Sequence, residues 1–192
     1  MTQIVLASTS RYRHELLCRL GLPFEAAAPD VDERAVALPP REMALALASA
    51  KAEAVLARFP EAVVIGSDQV ATIDGEVLHK PGTEDNAVNQ LRRLVGREHE
   101  LLTAVCVASG DRRLLHLDVH RLTMRPLDDE ALRDYVARDR PRDCAGSYRI
   151  ESLGIALMAK VEGEDFTAIV GLPLMAVTRM LEELGVRVLG PN

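Results

Sequence analysis

Short, wholly apolar runs alternate along this chain with longer segments in which apolar residues recur at helical spacing. That alternation predicts an α/β protein. Ile4-Val5-Leu6-Ala7 reads as a strand buried on both faces. Ser8-Thr9-Ser10 follows, and then a helix to about Leu20 with Leu16, Leu17 and Leu20 as its stripe and Gly21 at its end. Phe24 to Ala28 suits an edge strand. Arg41 to about Arg58 is an alanine-rich helix entered through Pro39-Pro40, with Met43, Leu47, Ala50 and Ala54 on one face and Lys51 beside it.

Ala62 to Gly66 is the next buried strand, ending on Ser67-Asp68-Gln69. Val70 to Ile73 continues it to a hairpin at Asp74-Gly75. Thr83 should cap a helix that runs to Leu94, with Glu84 and Asp85 favourable to its dipole and Gly96 beyond its end. His99–Ala108 and Arg113–Met124 read as two long strands joined at Gly110-Asp111. Asp128 should cap a helix to Arg138. Ile155–Val161 is a further strand, and Pro173 opens a last helix ending at Gly185. The fold class expected is a mixed twisted sheet with flanking helices. The long ribbon and the helical insertion from Asp128 to Arg140 suggest a second lobe, so residues 1–192 are expected to form one bilobal domain with its ligand site in the central cleft.

Composition narrows the function. Apolar residues make up 48% of the 192, but aromatics only 3%, with no Trp, so aliphatic side chains must build the core. A net charge of −6 disfavours a general nucleic-acid binder. A small anionic ligand held by a few convergent cations remains allowed. Cys18, Cys106 and Cys144 are odd in number and form no CxxC pair, which predicts three buried neutral thiols in a reducing compartment rather than a disulfide or zinc framework. No stretch has membrane-spanning length and no secretory apolar core is present, so a cytoplasmic location is expected.

Five segments could carry chemistry. Ser8, Thr9, Ser10, Arg11 and Arg13 surround a strand-to-helix turn, where free N–H groups and cationic donors suit phosphate. An ordinary serine cap with exposed arginines would read the same. Asp68, at the carboxyl end of its strand, faces the crevice where α/β proteins bind ligands and could take a proton or hold a metal. Asp30-Val31-Asp32-Glu33 offers the oxygen donors that Mg²⁺ or Mn²⁺ prefer. Lys51 and Lys80 gain interest only if they converge on Asp68. In Cys144-Ala145-Gly146-Ser147-Tyr148 small residues permit close backbone approach, and the nearby Glu151 could accept from the N–H/NH₂ edge of a guanine. Val170-Gly171-Leu172-Pro173 reads as packing, and His79, His116 and His120 as structural.

Together these segments resemble the Maf family of nucleotide pyrophosphatases. The resemblance rests on Leu6–Ser10, Arg13 with Glu15-Leu16-Leu17, Asp32-Glu33, Lys51-Ala52, Gly66-Ser67-Asp68-Gln69-Val70, Lys80-Pro81, Ala145-Gly146-Ser147 and Val170–Pro173, and spans essentially the whole chain. Arg11, where the family has Pro, and His79, where it has Gly, depart from the pattern. The resemblance implies a Maf/ITPase-like fold and a hydrolase acting on the acid anhydride of a nucleoside triphosphate. Asp68 would be the proton acceptor, and Glu33 with Asp68 would hold a divalent cation, Mg²⁺ or Mn²⁺. Ser8, Ser10, Arg13, Lys51 and Lys80 would bind phosphates. Specificity would fall on Tyr12, Gln69 and Glu151, which match the branch acting on 7-methyl-GTP rather than on dTTP or UTP. A cationic methylated guanine fits that assignment, since Tyr12 could stack on it and Glu151 could pair with its edge. A pyrimidine or modified-nucleotide pyrophosphatase, or a non-catalytic nucleotide sensor acting in division control, are the alternatives. The expected partner is a nucleotide, with no nucleic acid or membrane, and a homodimer is allowed.

Overall fold

The computed structural model describes residues 2–190, at position 34 by backbone alone. Seven strands form one mixed sheet in the order β2-β1-β3-β5-β6-β7, with β4 paired to β3. The strands are β1 (Ile4–Ala7), β2 (Glu25–Ala26), β3 (Val63–Ile73), β4 (Glu76–Leu78), β5 (Glu98–Ser109), β6 (Arg112–Met124) and β7 (Met158–Glu162). The helices are α1 (Arg11–Cys18), α2 (Pro40–Leu56), α3 (Glu84–Leu94), α4 (Asp129–Asp139) and α5 (Leu174–Glu183). β1 pairs in parallel with β2 and with β3, from Ile4 opposite Val63 to Ala7 opposite Gly66. β3–β4 and β6–β7 are antiparallel.

The chain falls into two compact units. Of the described residues, the first contains 2–68, 103–118 and 165–190. Its core joins Leu6, Leu16, Leu17, Ile65, Val105 and Leu172 to the inner face of α5, where Val177, Met180 and Leu181 are buried. The hydrophobic residues of α5 therefore serve the core, except Met175, which is exposed. The second unit contains residues 69–102 and 119–164. Within it α3 packs against α4, with Val88, Leu91 and Leu94 buried on one helix and Leu132 and Val136 on the other.

Local signals set most boundaries. Thr83 accepts from the Asn86 N–H and Asp128 from the Ala131 N–H, each as an N-cap. Asp74 and Gly75 both take positive φ, 53° and 80°, as a two-residue hairpin turn requires.

Four expectations need correction. β3 does not end at Asp68 but runs eleven residues through it to Ile73. What ends there is the parallel pairing with β1, whose last rung is Ala7 with Gly66. The buried face of α2 is Ala44, Leu47, Ala48, Lys51, Ala52 and Val55, not the stripe through Met43, Ala50 and Ala54. Alanine on every side gives a helix no contrast from which to choose a face. Residues 153–157 form a 3-10 turn, and β7 starts only at Met158. Cys18 is exposed and Cys144 half-buried, so only Cys106 is a fully buried thiol.

Candidate active site

In the first unit the site begins with a glycine. Gly66 lies where α2 crosses β3. A Cβ there would collide with the Ala48 carbonyl and come within 2.6 Å of the Ala52 nitrogen. The helix therefore rests directly on the strand, and Lys51, between those two residues, is carried to Asp68, two positions on from Gly66 and so on the same strand face. Lys51 Nζ donates to Asp68 Oδ1 at 2.6 Å and also meets Glu33 Oε1 at 2.7 Å. Lys51 and Asp68 are both about 6% exposed, whereas the Glu33 carboxylate reaches solvent. Lys51 is thus a buried lysine that does converge on Asp68. Two carboxylates share its charge, which leaves one negative charge over the three groups.

The strand-to-helix turn lies in the same unit. Ser8 Oγ accepts from the Ser10 N–H at 3.1 Å, and Ser10 Oγ caps α1 by accepting from the Arg13 N–H at 3.5 Å. Arg13 folds back over this turn. Its Nε donates to the Gly171 carbonyl at 2.9 Å and one terminal nitrogen lies 3.5 Å from Ser8 Oγ. Burial lowers the Arg13 pKa from its ordinary value, against the opposing pull of Asp68 and Glu33, so the guanidinium feels both carboxylates. It keeps its proton, because arginine starts so high.

The Gly171 carbonyl also accepts from Ser67, whose one hydroxyl hydrogen is shared with the Ala104 carbonyl. Gly171 has φ 127°, which a side chain would strain. Asp165 and Thr167 fix this loop. Asp165 accepts from the Thr167 and Met175 N–H groups, and Thr167 Oγ1 accepts from the Leu174 N–H at the start of α5. The Val170–Pro173 segment therefore does more than pack, since its backbone aims Arg13. No spacing rule marks a carbonyl acceptor, which is why the sequence hid it. Tyr12 stands on α1 with the Arg11 guanidinium 4.7 Å from its ring centroid. Arg11, the departure from the family pattern, thus presents a cation to that ring.

The other expected residues belong to the second unit. Gln69 is half-buried on β3, Lys80 exposed just after β4, and Glu151 exposed in the turn after Arg149. Gln90 on α3, which sequence reasoning passed over, secures two segments of this unit. Its amide donates to the His79 carbonyl at 2.7 Å and accepts from Ser147 Oγ at 2.7 Å. It ties the Lys80 loop to the Ala145-Gly146-Ser147 turn. In that turn Gly146 has φ 73°, and a Cβ on it would come within 2.9 Å of the Tyr148 ring. Tyr148 in turn meets the buried His99, hydroxyl to Nε2 at 3.0 Å.

Among the described residues no cluster of three His, Cys, Asp or Glu side chains could hold a metal by itself. The pair Glu33–Asp68 supplies two hard oxygen donors already gathered about one positive charge. That set fits Mg²⁺ or Mn²⁺, which commonly bind through one or two carboxylates with water and substrate phosphate.

The profile of the family described as Maf-like protein matches residues 3–184. The chain belongs to that family. A protein of Albidiferax ferrireducens named 7-methyl-GTP pyrophosphatase is 46% identical to this Maf-like chain over 191 residues, covering 98% of the chain and 96% of the relative. A protein of the same name from Bordetella pertussis is 50% identical over 184 residues, covering 95% and 92%. Among solved structures, the Staphylococcus aureus Ham1 protein shares the fold, with a TM-score of 0.50 at 16% identity over 65% of this chain and 73% of that one.

Proposed function

We propose that this Maf-like protein hydrolyses a nucleoside triphosphate between the α and β phosphates, releasing the monophosphate and pyrophosphate, and that 7-methyl-GTP is its preferred substrate. One observation carries the chemistry. A buried carboxylate, Asp68, sits where the parallel β1–β3 pairing ends, with an ammonium and a second carboxylate in direct contact. Ligands of α/β proteins gather at the carboxyl ends of parallel strands. The substrate preference draws on the two relatives of that name, which match nearly the full chain.

Asp68 accepts a proton from the attacking water as the new P–O bond forms. Arg13 and Lys51, with Lys80 and the Ser8 and Ser10 turn, take up phosphate charge that grows in the transition state. Lys51 is suited to this because its flexible stem can exchange a carboxylate for a phosphate oxygen. Glu33 and Asp68 would hold the divalent cation, Mg²⁺ or Mn²⁺, which when bound supplies Lewis acidity toward phosphate and water. Tyr12, Gln69 and Glu151 read the base. The Tyr12 face already carries a guanidinium, the kind of partner a cationic methylguanine would be. Three free cysteines suit a reducing compartment such as the cytoplasm.

The test is pyrophosphate release with Mg²⁺ or Mn²⁺ across 7-methyl-GTP, GTP, dTTP and UTP. The highest kcat/KM is expected for 7-methyl-GTP. Asp68→Asn is expected to lose roughly 10²–10⁴-fold in kcat. A wild-type rate in that variant would overturn the role of Asp68, and equal kcat/KM across the panel would overturn the base reading.

A further inference from the structure

A second buried acid lies apart from the residues given chemistry above. Asp139 ends α4 and is 4% exposed. Its carboxylate accepts from Tyr135 Oη at 2.8 Å, from an Arg149 terminal nitrogen at 2.8 Å and from Ser152 Oγ at 2.7 Å. The same Arg149 nitrogen donates to the Asp139 backbone carbonyl. Tyr135 closes the ring by accepting from the Arg149 N–H at 3.0 Å. Burial alone would raise the Asp139 pKa, but the hydrogen bonds from Ser152, Tyr135 and Arg149 outweigh it and hold it below its ordinary value.

Residues 149 and 152 are thus both held by one carboxylate, and Glu151 lies between them. The backbone tightens the same turn, since Ser152 N–H and Gly154 N–H both donate to the Arg149 carbonyl. A Cβ at Gly154 would collide with that carbonyl, so the turn has no room to relax. An exposed glutamate on a loose turn would spend most of its time in other rotamers. Here the turn beneath it is anchored to a helix end at three points.

We propose that Asp139 is a positioning residue for base selection, fixing the turn that presents Glu151 to the nucleobase edge. This rests on the reading of Glu151 as the group that binds the base. Asp139 touches no substrate and acts through Glu151 alone. Its effect therefore lies in selectivity and KM, and it disappears when Glu151 cannot discriminate.

The experiment is a double-mutant cycle with Asp139→Asn and Glu151→Gln, reading kcat and KM for 7-methyl-GTP and GTP with Mg²⁺. Glu151→Gln is expected to lower the selectivity ratio roughly tenfold, and Asp139→Asn roughly fivefold, mostly through KM. In the Glu151→Gln background, Asp139→Asn should change the ratio no further. A purely structural Asp139 would scale both substrates equally and leave the ratio intact. That result, with Glu151→Gln still shifting selectivity, overturns the proposal and spares the base reading. A silent Glu151→Gln overturns both. Should Asp139→Asn not fold, Tyr135→Phe keeps the carboxylate and removes the bridge to the Arg149 N–H. It should move the ratio in the same direction, and an unchanged ratio there overturns the proposal equally.

Discussion

Two buried acids, Asp68 in the first unit and Asp139 in the second, are each matched by a basic side chain, yet they are built for opposite ends. Asp68 meets a lysine through a single contact at 2.6 Å, and that lysine also leans on the half-exposed Glu33. An ammonium is a point charge on a flexible stem, and it can change partner without rearranging a plane. Asp139 meets a guanidinium, a phenol and a serine hydroxyl together. A planar donor held by several partners at once has few good geometries. The first cluster can change partner, while the second holds a shape. Burial and charge by themselves therefore do not tell the two acids apart; the number and stiffness of their partners do.

The sharpest way to break this contrast is Asp139→Ala. It leaves Arg149 without its buried partner and should cost about 3–5 kcal/mol of stability. Urea unfolding would show it, and a loss under about 1 kcal/mol would mean the network is slack.

Next in size is an acid effect within the second unit. Burial pushes His99 down from 6.5 to about 4. The unfolded chain takes up a proton as pH falls below about 6.5, whereas the folded chain resists until about 4, so stability must fall across that window. The full drop is about 3 kcal/mol. His99→Gln should flatten the decline between pH 6.5 and 4, read by thermal unfolding against pH. An unchanged acid slope would assign the loss to other groups.

Gly66→Ala comes third, because it forces α2 off β3. Overpacking of this kind costs about 1–3 kcal/mol. Turnover should fall further than stability alone explains, since Lys51 is displaced from Asp68. Wild-type turnover in a folded Gly66→Ala protein would show that the close approach is dispensable.

The smallest effect is expected for Ser10→Ala, at about 1 kcal/mol from the lost cap of α1. The turn proposed to bind phosphate should also loosen, visible as a higher KM at nearly constant kcat. A lower kcat at constant KM would place Ser10 in the chemistry instead.

Much of this was legible in the sequence because it is local. Thr83 and Asp128 announced their helices, and Asp74-Gly75 its hairpin, through hydrogen bonds that span only a few residues. The turn at Ser8 and Ser10 could be picked out because a strand-to-helix switch is written in consecutive letters. The face of α2 was not legible, because alanine satisfies both a core and a surface. The Asp139 network was missed although Tyr135 and Asp139 stand one helical turn apart, a spacing that places them on one face. What could not be foreseen is Arg149, which meets them only through the fold. The Gly171 carbonyl, which aims Arg13 from 158 positions away, left no trace in side-chain chemistry at all.

Gly66 has a consequence of a mechanical kind. Where helix and strand touch through side chains, their spacing follows whatever residues happen to fill the gap, and it drifts as those residues change. Between α2 and β3 the backbone of one element bears on the backbone of the other, so the gap has a hard stop. The spacing of the backbones that carry Lys51 and Asp68 is then set by peptide geometry. The outer side of α2 can be rewritten, residue by residue, without detuning the pair beneath it.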